Sequence, residues 1–166
     1  YKTWGLLGHN GIDMVGMCGQ VIRAAHDGIV TYTGTDSSEG WGVVIRTKEA
    51  RWFHITEYPT GESFFKTIYW HCQPNSFLVK VGDEVKCGQP IARCGNSGVP
   101  GALGAPSYAG THLHFGLKPI MAEENDWTWD NILQNNGYRG AIDPAQFWGG
   151  MYAEDYASIL AKITAI

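Results

Sequence analysis

The six residues Thr111-His112-Leu113-His114-Phe115-Gly116 constrain this chain more than any other stretch. Apolar Leu113 and Phe115 alternate with two histidines. That alternation is the period of a β-strand with one apolar and one polar face, so both imidazoles are expected to project from the same side of a sheet. A second cluster, Gly8-His9-Asn10-Gly11-Ile12-Asp13, stands near the start. On a straight strand at roughly 3.3 Å per residue, His9 and Asp13 would lie about 13 Å apart, too far to meet one ion. Asn10-Gly11 between them is a turn dipeptide, because both residues tolerate φ > 0, and a turn there would fold Asp13 back towards His9. Two imidazoles and a carboxylate suit a catalytic zinc ion whose fourth position is left for water. Because His112 and His114 share a face, the pattern does not rank them as ligands.

The rest of the chain reads as β-rich. Its 22 glycines and 7 prolines in 166 residues are the punctuation of many short strands. A length of 166 residues suits one domain. Val21–Ala25 and Gly28–Thr33 are expected to be strands broken by a hairpin signal at Asp27-Gly28, with His26 a polar residue at the break. Gly42–Arg46 and Arg51–Thr56 are expected to form another strand pair, joined through Lys48-Glu49-Ala50, with His54 on the solvent side or a groove wall. Tyr58 to Phe65 reads as an aromatic loop before a strand over Lys66–His71, and residues 78 to 94 as two short strands around Gly82-Asp83 and Gly88-Gln89-Pro90. The formal charge of -4 provides no basic face to track a phosphate backbone, which argues against nucleic acid. No apolar run approaches the roughly 18 residues of a membrane span. The start lacks the basic and apolar regions of a signal peptide, and the domain is expected to come from a longer protein. Cys18, Cys72, Cys87 and Cys94 include no C-x-x-C pair and are expected to be free thiols rather than two disulfides.

Five elements in order carry a specific resemblance. Gly8-His9-Asn10-Gly11-Ile12-Asp13, Tyr69-Trp70-His71, residues 81–92 (Val81-Gly82-Asp83-Glu84-Val85 through Gln89-Pro90-Ile91-Ala92), Gly95-Asn96-Ser97-Gly98 and His112-Leu113-His114-Phe115 resemble the lysostaphin and LytM type of zinc endopeptidase, over roughly residues 5 to 120. The resemblance implies one Zn2+ per chain held by His9, Asp13 and His114, with His71 and His112 acting on the water and the transition state. It implies an antiparallel β-sandwich or β-roll whose central sheet floors a zinc cleft. It further implies hydrolysis of peptide cross-links in bacterial peptidoglycan, outside the cytoplasm (periplasm, cell wall or secreted) or on a virion, as one module of a longer cell-wall or phage protein. Val99 to Thr111 is longer than the family's link and is expected to overhang the cleft. Residues 1–150 are assigned to the endopeptidase domain, with 120–150 as its closing segment through Asp143-Pro144. Residues 151–166, with Tyr152, Tyr156, Ile159, Leu160 and Ile163 at helical spacing, are expected to form a C-terminal amphipathic helix.

Two other classes fit parts of the sequence. One is a wall-binding or hydrolase-activating module of the same fold without activity, which would typically have lost zinc ligands. The other is a carrier or structural β-domain, suggested by the turns at residues 81 to 92. That class needs a lysine at a hairpin tip, and neither Lys80 nor Lys86 has that setting.

Overall fold

The computed structural model describes residues 5–49, 51–55, 58–99, 109–120 and 136–144, with backbone alone for 51–55 and 58–63. Among these lie nine strands: β1 (Ile12–Val15), β2 (Val21–Arg23), β3 (Gly28–Asp36), β4 (Gly40–Arg46), β5 (Arg51–Ile55), β6 (Tyr58–Cys72), β7 (Glu84–Val85), β8 (Pro90–Arg93) and β9 (His112–Ile120). Seven form one antiparallel sheet in the order β1-β9-β6-β4-β3-β7, with β5 paired to the first half of β6; β2 and β8 form a separate two-stranded sheet. No α-helix occurs among the described residues. The expected β-fold with a central sheet is the observed one.

Alternation on each strand sorts side chains between two faces. Val43 and Ile45 of β4, Tyr69 of β6 and Phe115 of β9 enter one buried cluster with Ile22, Ala24, Ile91 and Ala92 of the small sheet and its borders. Their neighbours Val44, Ile68 and Trp70 pack on the opposite face with Tyr32. Tyr32 reaches that face through a bulge: Val30 pairs with Ile45 but Tyr32 with Val44, so one extra residue reverses the alternation of β3. The small sheet covers the first face, and the histidines of β9 lie on the second.

Three expectations about pairing are corrected. Residues 21–25 and 28–33 do not form a hairpin, since β2 pairs with β8 while β3 pairs with β4 and β7. Gly28 is inside β3 and makes no turn; a Cβ there would lie 2.3 Å from the Arg46 carbonyl oxygen, so glycine permits the close approach of β4. Asp27 instead accepts hydrogen bonds from the Cys87 N–H and the Lys86 ammonium, 2.8 Å each, which draws the chain towards residues 86–87. Likewise β4 and β5 are not partners, because both pair with β6.

Residues 58–65 are strand, not loop. Pro59 and Gly61 are accommodated in the half of β6 that, among the described residues, has β5 alone beside it up to Ser63, away from the middle of the sheet. Phe64 and Phe65 pack locally: the Arg46 guanidinium lies 6.0 Å above the Phe64 ring, and the His26 ring meets Phe65 edge-on at 4.8 Å. His26 also bonds Thr67 Oγ1 at 2.9 Å, away from the β9 histidines. All four cysteines are free thiols, as expected. The His54 side chain, most of the 99–111 link, residues 121–135 and 145–150 of the closing segment and the expected helix at 151–166 lie outside the described residues.

Candidate metal centre

The centre is assembled by the pairing of the first and last described strands of the sheet. Asp13 of β1 stands directly opposite His114 of β9, and Val15 opposite His112. Cross-strand partners project from the same face, so the carboxylate arrives between the two imidazoles. Asp13 Oδ1 lies 3.3 Å from His114 Nδ1 and 3.6 Å from His112 Nε2. His9 comes in from the bend before β1, its Nε2 3.3 Å from Asp13 Oδ1 and 2.8 Å from His114 Nδ1. The bend at Asn10-Gly11 brings Asp13 back to His9 as expected, but for another reason. Neither residue has positive φ. A Cβ on Gly11 would stand 2.6 Å from the Phe115 carbonyl oxygen and 2.7 Å from His114 Nε2, so glycine lets the chain pass hard against β9.

His71 reaches the same place by an irregularity. Strict alternation would put it on the Tyr69 side, away from His114. Tyr69 and Cys72 both belong to the core cluster, whereas Trp70 packs on the other face. Between them β6 carries an extra residue, since Trp41 pairs with Cys72 but Val43 with Tyr69. His71 sits at this bulge with φ of 63°, and the bulge turns it towards β9. Its ring lies edge-on to His112 at 4.6 Å and to His114 at 6.0 Å.

Backbone carbonyls fix two tautomers. His71 Nδ1 is 2.7 Å from the Ser97 carbonyl and His112 Nδ1 is 2.8 Å from that of Gly110. A carbonyl only accepts, so each Nδ1 carries the proton and each Nε2 is left for the centre. Both oxygens were invisible to a reading of side chains. The turn signal at Gly95-Asn96-Ser97-Gly98 marks one of them, and Ser97 is locked in turn: its Oγ donates to the Cys72 carbonyl at 2.6 Å and accepts from Trp41 N–H at 2.9 Å.

Burial and the neighbouring charges set the protonation states of His71, His9 and Asp13. Burial lowers the His71 pKa to about 4, against the Ser97 contact, which raises it, so the ring is neutral at pH 7. Burial also lowers His9, outweighing the attraction of Asp13. Burial alone would raise Asp13, but its hydrogen bond with His114 and the nearby histidines hold it below the usual carboxylate range. His9, Asp13 and His114 offer one ligand atom each, all within 4.8 Å of one another. His9 Nε2 and His114 Nδ1 face each other and only a shared proton reconciles them, so two nitrogen lone pairs and an anionic oxygen fit a zinc ion by donor chemistry. Beside His9 is a cavity of about 370 Å³ lined by Tyr138, Asn136, Ile142 and Asp143.

The model of peptidase family M23 matches residues 7–126. The chain belongs to peptidase family M23. Among curated relatives of this M23 domain, outer membrane antigenic lipoprotein B of Histophilus somni is 40% identical over 91 residues, 55% of this chain and 23% of that one. The murein hydrolase activator NlpD of Escherichia coli (strain K12) is 32% identical over 111 residues, 67% of this chain and 23% of that one. The domain therefore spans 23% of the length of these relatives. Among solved structures, LytU matches with a TM-score of 0.57 at 26% identity, covering 84% of this chain and 71% of that one. The catalytic domain of lysostaphin from Staphylococcus simulans matches with a TM-score of 0.56 at 22% identity over 88% and 84%, a likeness of fold. The five elements of the sequence that resemble the lysostaphin and LytM type lie within the matched region.

Proposed function

We propose that this M23 domain is a zinc-dependent endopeptidase that hydrolyses peptide cross-links of bacterial peptidoglycan. The observation that carries the reading is the convergence of His9, Asp13 and His114 with the unbonded Nε2 edges of His71 and His112 beside them. A zinc ion held by those three residues would supply a Lewis acid for the scissile carbonyl and a bound water with its pKa lowered to about 7. His71, neutral because it is buried, presents Nε2 as acceptor for the proton of the attacking water and returns that proton to the departing amine. His112, more open and with Nε2 3.6 Å from Asp13, would donate through Nε2 to the carbonyl oxygen as negative charge develops there only in its imidazolium form, with protons on both nitrogens. The Ser97 and Gly110 carbonyls keep both rings aimed.

A second reading, activation of another hydrolase without intrinsic activity, is favoured by the name of the NlpD relative. The complete donor set supports the enzyme instead. Action outside the cytoplasm or on a virion, as a module beside others, accords with the lipoprotein relative and the short span of the match. Among the described residues no helix is long and apolar enough to cross a membrane.

Purified peptidoglycan incubated with the protein, with and without a chelator, tests the reading by mass spectrometry of the released fragments. New peptide termini formed only with metal are expected, and their masses distinguish Gly-Gly from D-Ala cleavage. Fragments that form only when a second hydrolase is added would favour the activator.

A further inference from the structure

Cys72 ends β6, Cys94 follows β8, and the two face each other as an isolated antiparallel bridge between the two sheets. Gly95 N–H donates to the His71 carbonyl at 2.9 Å and Gln73 N–H to the Arg93 carbonyl at 2.8 Å. These bonds flank the cysteines without joining them. The pair is therefore the non-hydrogen-bonded kind, whose Cα atoms approach to about 4.5 Å with side chains on one face. That separation falls inside the span of roughly 4.4–6.8 Å that a disulfide bridges. Both side chains belong to the same buried cluster, and both are thiols.

We propose that Cys72 and Cys94 form an oxidation site that closes into a disulfide by exchange with a disulfide donor, such as oxidised glutathione or a protein disulfide, where the domain is exposed to one. The Cys94 thiolate attacks a donor sulfur, breaking the donor S–S bond and releasing one thiolate. The Cys72 thiolate then attacks the Cys94 sulfur of the mixed disulfide, forms the Cys72–Cys94 bond and expels the second thiolate. The donor takes up two electrons, and the two thiol protons leave with its reduced halves. In the folded chain Cys94 is the point of entry, because it lines a cavity of about 360 Å³ beside Gly16, Val21 and Leu113, whereas Cys72 has no exposed surface.

Cys18 is the competing partner. It lies in the turn whose Gly19 N–H binds the Cys94 carbonyl, and its sulfur is engaged by Gln73 Nε2 at 3.0 Å. Burial pushes the Cys72 thiol up to about 12 and raises that of Cys94 as well, so both are protonated at neutral pH in the folded chain and exchange is fastest while the chain folds. Once closed, the bond staples the strand end bearing His71 to the segment leading to Ser97, whose carbonyl holds the His71 ring.

The 166-residue chain is refolded in a glutathione redox buffer, alkylated and digested without reductant, and the linked peptides are mapped by mass spectrometry. The linkage is read directly and does not depend on peptidase activity. A peptide joining Cys72 to Cys94 is expected, absent in Cys94→Ala, and reductant is expected to lower the wild-type melting midpoint by roughly 5–10 °C. Because the second comparison uses wild type alone, it stands even if the variant fails to fold. Full alkylation of both cysteines at oxidising equilibrium, or a link from Cys94 to Cys18, overturns the proposal.

Discussion

Gly40→Ala is expected to damage the centre from the far side of the Ser97 turn. Gly40 has φ of +73°, and a Cβ there would stand 2.3 Å from the Ser97 carbonyl carbon, 2.4 Å from its oxygen and 2.6 Å from Gly98 N. All three are backbone atoms, so no side chain can swing aside. Gly98 returns the contact, since its own Cβ would lie 2.4 Å from Glu39 C and from Gly40 N. The left-handed backbone costs an alanine about 1–2 kcal/mol. Overpacking against a segment that cannot yield adds about 1–3 kcal/mol. At about 2–4 °C per kcal/mol for a chain of this size, melting should fall on the order of 10 °C. Gly88→Ala is the control: it has φ of +82° with nothing within 4 Å of the added Cβ, and should lose only the backbone part. The displaced atom is the oxygen that holds His71 Nδ1 at 2.7 Å. On the proposed function, Gly40→Ala should therefore bind zinc as the wild type does yet hydrolyse cross-links at least roughly tenfold more slowly, an effect on kcat. Thermal melts, metal analysis and fragment release measure the three quantities. Equal melting losses in the two variants, or a normal rate in Gly40→Ala, would refute the reasoning.

The metal reading predicts that His114→Ala loses stoichiometric zinc, while His71→Ala and His112→Ala retain it and each lose roughly 10²-fold in kcat; stoichiometric zinc in purified His114→Ala would remove that residue from the ligand set. The His71 pKa predicts a pH dependence of the metal-free protein. Burial holds the folded value near 4 against an ordinary 6.5, so between these the unfolded chain takes a proton that the folded chain refuses. The associated stability is complete above about pH 6.5 and falls by about 3 kcal/mol as the pH drops to about 4. Urea unfolding in chelator across that range should show the loss, and His71→Gln should flatten its slope.

The strand over residues 112–116 was legible because β9 alternates without a bulge there, and the same regularity put His112 and His114 on one face. The bend before Asp13 was legible in outcome but not in cause, because the glycine serves a close approach that belongs to β9, more than a hundred residues away. Strand partners were not legible. Asp27-Gly28 has the composition of a hairpin, yet its neighbours pair elsewhere, and only the carbonyl of Arg46 explains the glycine. His71 was found by resemblance to known sequences and could not have been found by periodicity, since a bulge depends on how two strands meet. Of the orienting carbonyls, that of Ser97 is marked only by the turn signal around it, and that of Gly110 leaves no trace in side-chain identity.

The pairing of β1 with β9 has a further consequence for when this centre can exist. His9 and His114 are 105 residues apart, and the register that brings Asp13 to His114 is made by the last described strand of the sheet. Closing so long a loop is slow and gains nothing until the final partner is present. During synthesis, His9 and Asp13 emerge about a hundred residues before His114, two polar side chains with nothing to meet. A chain interrupted between residues 86 and 111 contains every strand of the sheet but β9 and no centre, so metal uptake reports completion of the domain.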